Sequence, residues 1–157
     1  MVKERKANPE EVKVIVLHGP NLNRLGSRET EIYGSWTLEQ INQQIYRQAE
    51  DLSLKVEIHQ SNHEGEMVEI IHRADDEGYH GIVINPAAFT HYSVALRDAL
   101  ASIRIPVVEV HLSNLHAREE FRSKSITAPH TTGQVVGLGY YGYCLALQAL
   151  WHELQVD

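Results

Sequence analysis

Glu109, His111 and Ser113 stand two residues apart in the run VVEVHLSN. In an extended chain alternate residues share a face, so these three polar side chains point one way and Val110 and Leu112 the other. A glutamate and a histidine inside an otherwise apolar strand are costly to bury unless they pair. A carboxylate beside an imidazole can fix its tautomer and hold its proton, which makes a general acid. The pair could instead only satisfy itself, but its place at a strand end favours chemistry.

Two further sets stand out. Arg28 and Tyr33 lie in a stretch with no periodicity. A tyrosine normally loses its proton near pH ~10. A nearby guanidinium favours the phenolate, which could then act as a base. The plainer reading of that stretch alone is an exposed loop aromatic. Arg118 and Arg122 are four apart and would share a helix face, where they could clamp an anionic or polyhydroxylated ligand. Glu119 and Glu120 lie between them, so a solvated face is the plainer reading there.

The elements that must position these groups follow from apolar patterning. Residues 12–17 form a short β-branched run that ends at Gly19-Pro20, as a buried strand does. Residues 18–36 read as a long loop, the kind that compact domains keep for function. Thr37 and Gln40 make a capping box, and Leu38, Ile41, Ile45, Ala49 and Leu52 line one helix face. Strand two is expected at 54–59. Ser61 with Glu64 is read as a second capping box, opening a helix that stops near Gly78. Strand three spans 81–84. A helix over 91–103 ends before Pro106. Strand four covers 106–112, and a short charged helix 117–124. A fifth strand is expected near 126–128 and a last helix over 135–154.

Strand and helix thus alternate five times, which argues for a parallel sheet covered on both faces. Five strands favour the flavodoxin-like order 2-1-3-4-5, a three-layer α/β sandwich. In such a sheet the ligand crevice lies beyond the carboxyl ends of the strands, at the switch in strand order. His18, Asn21, Asn23, Arg24, Arg28 and Tyr33 follow strand one. Asn85, Thr90 and His91 follow strand three, and Glu109, His111 and Ser113 close strand four. These groups are expected to share one pocket.

Composition narrows the classes. The chain has 157 residues, 14 basic and 21 acidic, for a net charge of −7. That length suits a single domain, here 12–157 behind a polar leader at 1–11. The acidic balance disfavours a nucleic-acid binder, which needs clustered Lys and Arg. One cysteine, Cys144, excludes an internal disulfide. No apolar run is long enough for a transmembrane helix, and the charged start is unlike a signal peptide. A cytoplasmic location is therefore expected. Ten histidines hint at a metal, but no H-E-x-x-H or Cys/His framework exists. The glycines between 133 and 142 match neither a phosphate loop nor a dinucleotide fingerprint. No cofactor and no metal are expected.

Three motifs carry a resemblance. HGPNLN at 18–23, followed by Leu25-Gly26, Arg28-Glu29 and Tyr33-Gly34, resembles the opening of type II 3-dehydroquinate dehydratases. INPAAFTH at 84–91, with Ser93 to Ala99, resembles their middle motif. EVHLSN at 109–114, with REEFR at 118–122, resembles the third. The resemblance implies a flavodoxin-like lyase of the shikimate pathway, which makes 3-dehydroshikimate from 3-dehydroquinate without metal or covalent imine. It implies Tyr33 as the base and Arg28 as its activator on a mobile lid. An ordered water near Asn21 and Pro20 would steady an enolate. His111, oriented by Glu109, would protonate the departing hydroxyl. Asn85, His91 and Arg122 would bind ring hydroxyls, and Leu112 and Ser113 the carboxylate. Arg118 would support the lid. The family assembly implied is a homododecamer of four trimers, with Asp98 reaching a neighbouring subunit's site. Thr30 stands where a proline is common, and Arg24 where a leucine is common.

Other readings of the same fold are a phosphoacceptor or flavin-binding module, or an inactive homologue kept for assembly. A receiver would need an acidic cluster after strand one and an aspartate after strand three. The chain has His-Gly-Pro-Asn and Asn-Pro there.

Overall fold

The computed structural model describes residues 12–27 and 29–155. Five parallel strands form one sheet of order β2-β1-β3-β4-β5. They are β1 (Lys13–His18), β2 (Lys55–Gln60), β3 (Gly81–Asn85), β4 (Val107–His111) and β5 (Gly133–Val136). The helices are α1 (Thr30–Tyr33), α2 (Leu38–Asp51), α3 (Glu64–Asp76), α4 (Val94–Ser102) and α5 (Tyr141–Gln155). The expected flavodoxin-like sandwich is the fold.

Strand alternation divides the core into two layers. Val14, Val16, Val83, Val108 and Val110 pack against Ile41, Ile45 and Ala49 of α2 and Tyr143, Leu147 and Leu150 of α5. Ile15, Leu17, Ile82, Ile84 and Val107 pack against Met67 and Ile71 of α3 and Leu96 and Leu100 of α4. A central strand apolar on both faces belongs to a sheet covered on both sides.

Thr37 opens α2 with the expected capping box: its side chain accepts from the Gln40 N–H (3.2 Å), and the Gln40 side chain accepts from the Thr37 N–H (2.9 Å). Such a cap contributes about 1 kcal/mol. Ser61 caps nothing. His63 occupies the cap position of α3, and the Ser61 hydroxyl accepts from the His63 N–H and donates to Glu66.

Several elements differ from the sequence reading, and the stretch 18–36 read as loop contains the single turn α1. The fifth strand lies at Gly133–Val136, not at 126–128. The earlier segment is polar at Ser125 and Thr127, whose hydroxyls turn toward Glu109, and Ala128–His130 forms a 3-10 turn around a proline. The last helix starts at Tyr141 because residues before it still pair with β4: Gly137 N–H donates to His111 O (3.1 Å) and Gly139 N–H to Leu112 O (3.0 Å). The expected helix over 91–103 is shorter: α4 covers Val94–Ser102 with Ser93 as its cap, and His91 instead closes a 3-10 turn at Ala87–His91. The charged stretch at 117–124 is two 3-10 turns, Leu115–Ala117 and Glu120–Ser123, so Arg118 and Arg122 do not share an α-helical face.

Candidate active site

β1, β3 and β4 end together at the switch in strand order, and a cavity opens there. Gly19 makes the convergence possible: its N–H donates to Asn85 O (2.7 Å). An added Cβ would sit 2.8 Å from Asn85 O and from the Pro86 carbonyl. Asn21 follows at φ 68°, a left-handed conformation that asparagine tolerates. Its N–H donates to the Asn62 side chain (2.9 Å).

The sequence-predicted groups largely meet at this cavity. Pro20, Asn21, Tyr33 and Asn85 line it. So do His91, His111, Leu112, Ser113, Arg118 and Arg122. Glu109 lies behind His111 and is fully buried. Asp98 is on α4, paired with Arg97 (2.8 Å), and does not border the cavity. Arg28 lies outside the described residues. His18 is the last residue of β1 rather than a loop residue, and it is buried.

The two catalytic candidates on β4 form one unit. His111 Nε2 donates to a Glu109 oxygen (3.0 Å). An ionised carboxylate only accepts, so Nε2 carries the proton and Nδ1 is the nitrogen left for chemistry. Thr127 and Gln134 also donate to Glu109, and Thr90 stands against it at 3.3 Å. Burial by itself would raise the Glu109 carboxyl. The hydrogen bond and charge of His111, with Thr127 and Gln134, outweigh burial and hold it below the ordinary carboxylate range. The pair is therefore a buried anion aimed at an imidazole that opens on the cavity.

Tyr33 reaches the same cavity from the single turn α1. Arg118 Nη1 donates to its hydroxyl (2.9 Å) and to Ser113 Oγ (3.2 Å). A guanidinium on a phenol oxygen stabilises negative charge there. His91 donates from Nδ1 to Lys124 O (2.8 Å), which leaves Nε2 as an acceptor. Burial lowers its proton affinity, opposed by the Lys124 carbonyl. Arg122 pairs with Glu119 and lies over Phe121.

Thr90 was legible as a strand-end residue. Thr127 and Gln134 were not, because they come from a turn and a strand 18 and 25 residues along the chain from Glu109. Among the described residues no three His, Cys, Asp or Glu side chains converge as a metal-holding group. No described helix is long and apolar enough to cross a membrane.

Known proteins resemble this chain over most of its length. Residues 12–151 match the family model described as dehydroquinase class II. The chain belongs to the class II dehydroquinase family. It is accordingly an enzyme. A 3-dehydroquinate dehydratase of Bacillus cereus (strain G9842) is 54% identical over 143 residues, 91% of this chain and 97% of that one. Among solved structures, a type II dehydroquinase from Butyrivibrio crossotus superposes with a TM-score of 0.87 at 48% identity, covering 88% of this chain and 97% of that one. The type II dehydroquinase from Propionibacterium acnes gives 0.86 at 45% identity, over 89% and 96%. The class II dehydroquinase fold in this chain thus extends across nearly the whole length of its relatives.

Proposed function

We propose that the chain dehydrates 3-dehydroquinate to 3-dehydroshikimate by anti elimination through an enolate. The observation that carries this reading is the convergence of two polarised groups on one cavity: Tyr33 held by Arg118, and His111 held by Glu109. Elimination beside a ketone needs a base, an enolate stabiliser and an acid for the leaving oxygen.

Tyr33, as phenolate, takes a proton from the carbon beside the ketone. The electron pair moves onto the carbonyl oxygen, where a water held near Asn21 and Pro20 steadies the charge. The enolate then re-forms the ketone and expels the hydroxyl, which takes a proton from His111 and leaves as water. Asn85, His91 and Arg122 bind ring hydroxyls, while Leu112 and Ser113 hold the carboxylate. Arg28 keeps Tyr33 reactive on the lid. Neither metal nor cofactor takes part.

We further propose a homododecamer built from four trimers. Val94 and Asp98 are four apart on α4 and share a face. Val94, Tyr92 and Phe121 are each more than half exposed. That face suits a second copy, with Asp98 reaching its cavity. The working location is the cytoplasm, on the shikimate route.

The test is absorbance of the conjugated enone formed from 3-dehydroquinate. The wild type should turn over, and Tyr33→Phe should lose at least ~100-fold in kcat. A wild type that forms no enone sinks the reading, and a normal Tyr33→Phe removes the base. Light scattering that finds only single chains would sink the dodecamer.

A further inference from the structure

Asn85 reaches the cavity from β3, but its amide is held from behind. Its Oδ1 accepts from the Ala87 N–H (3.1 Å). A peptide N–H can only donate, so that bond settles which end of the amide is oxygen. Ala87 sits at φ 51°, a conformation that residues with a Cβ seldom adopt.

The rest of the chain of bonds then has one direction. Asn85 Nδ2 donates to the Tyr143 hydroxyl (2.9 Å). Tyr143 accepts there, and among the described residues the one partner left for its own buried proton is His18 Nδ1 (2.8 Å), to which it donates. That nitrogen must be bare, so the neutral imidazole carries its proton on Nε2, which donates to Asn42 Oδ1 (2.8 Å). His18 and Tyr143 are fully buried, and neither they nor Asn42 border the cavity. The members come from β1, α2, β3 and α5.

We propose that Tyr143, His18 and Asn42 are positioning residues for the reaction: a relay that keeps Tyr143 an acceptor and so fixes the Asn85 amide as a donor toward the substrate. The second Nδ2 hydrogen is the one the relay leaves over, and Asn85 lines the cavity. It suits a hydroxyl oxygen of the ring. If the Tyr143 proton turned toward Asn85, two donors would face each other in a buried site, which is strongly unfavourable. An apolar filling would pack as well, so four paired polar groups need a reason beyond packing.

The inference rests on the proposed reading of Asn85 as a substrate contact. The experiment is a double-mutant cycle in the enone assay, with Tyr143→Phe and Asn85→Ala alone and together. Tyr143→Phe should lower kcat/KM about tenfold, the equivalent of one buried hydrogen bond. In the Asn85→Ala background the same change should alter kcat/KM by less than about twofold, because coupled residues are not additive. Equal losses in both backgrounds would mean that Tyr143 serves packing alone, and the relay is overturned. Asn42→Leu is a second entry to the same cycle, on a half-buried helix position, should Tyr143→Phe fail to fold.

An independent readout needs no substrate. Nitrogen-15 spectra of labelled histidine in the wild type should show His18 protonated at Nε2 and bare at Nδ1 at neutral pH. Protonation at Nδ1 would reverse the relay and refute it. A wild type inactive on 3-dehydroquinate would sink the functional reading, whereas these spectra would still score the proton direction.

Discussion

Acid should weaken the fold through His18 before it protonates Glu109. His18 is buried beneath the cavity wall, and that burial, only partly offset by the Asn42 hydrogen bond, lowers its pKa from 6.5 to about 4. In the unfolded chain it would titrate normally. Between those values the unfolded state holds a proton that the folded state refuses, so stability rises with pH across this window. Its contribution is complete above the unfolded value and is lost as pH falls toward the folded one. Going from about pH 7 to about pH 5 should remove about 2 kcal/mol per chain. The assay is urea unfolding at both pH values and one fixed protein concentration, on the wild type and on His18→Gln. The variant starts less stable at neutral pH because it loses bonds to Tyr143 and Asn42. It should then lose about 2 kcal/mol less than the wild type on acidification. Glu109 acts in a lower window: its depressed pKa gives stability that is lost only below the ordinary value of 4.5. It therefore does not confuse the comparison. Parallel losses in wild type and variant would show that His18 titrates normally in the fold, and the reasoning from burial would be wrong.

Three other outcomes are expected. Glu109→Gln places an amide where His111 needs an anion, and should cut kcat about 100-fold with a small change in KM; unaltered steady-state kinetics would remove the orienting role. Gly19→Ala drives a Cβ into the Asn85 and Pro86 carbonyls and should cost about 2–3 kcal/mol in urea unfolding, with a fall in activity as the strand ends part. Dialysis against a chelator should leave turnover intact, and activity restored only by adding back a divalent cation would contradict the metal-free mechanism.

The central sheet was readable because it is apolar on both faces, so runs such as Val14 to Leu17 have no other use in a chain of this size. β5 escaped because it is a half-exposed edge strand, Gly-Gln-Val-Val, with neither an apolar run nor clear alternation. Its neighbour at 126–128 imitated a strand better than it did. Alternation along β4 was enough to pair Glu109 with His111. Helical spacing misled for Arg118 and Arg122. Glu119 is extended, at φ −56° and ψ 143°. Arg118 therefore turns to Tyr33 and Ser113 while Arg122 stays with Glu119. The relay behind Asn85 was beyond reach. It joins residues 58 and 125 positions apart, and Tyr143 reads as ordinary helix core until its hydroxyl is seen to have partners.

The site is built from parts of very different firmness. His111 and Glu109 belong to β4, an interior strand paired on both sides. Tyr33 rides on the single turn of α1, which buries no residue and is entered through Glu29 at φ 42° and left through Gly34 at φ 79°. Local opening of such a segment takes far less free energy than global unfolding. With Tyr33 as the proposed base, heating should silence the enzyme in two stages. Activity should fade reversibly while the sheet is still intact, below the melting temperature read from the backbone.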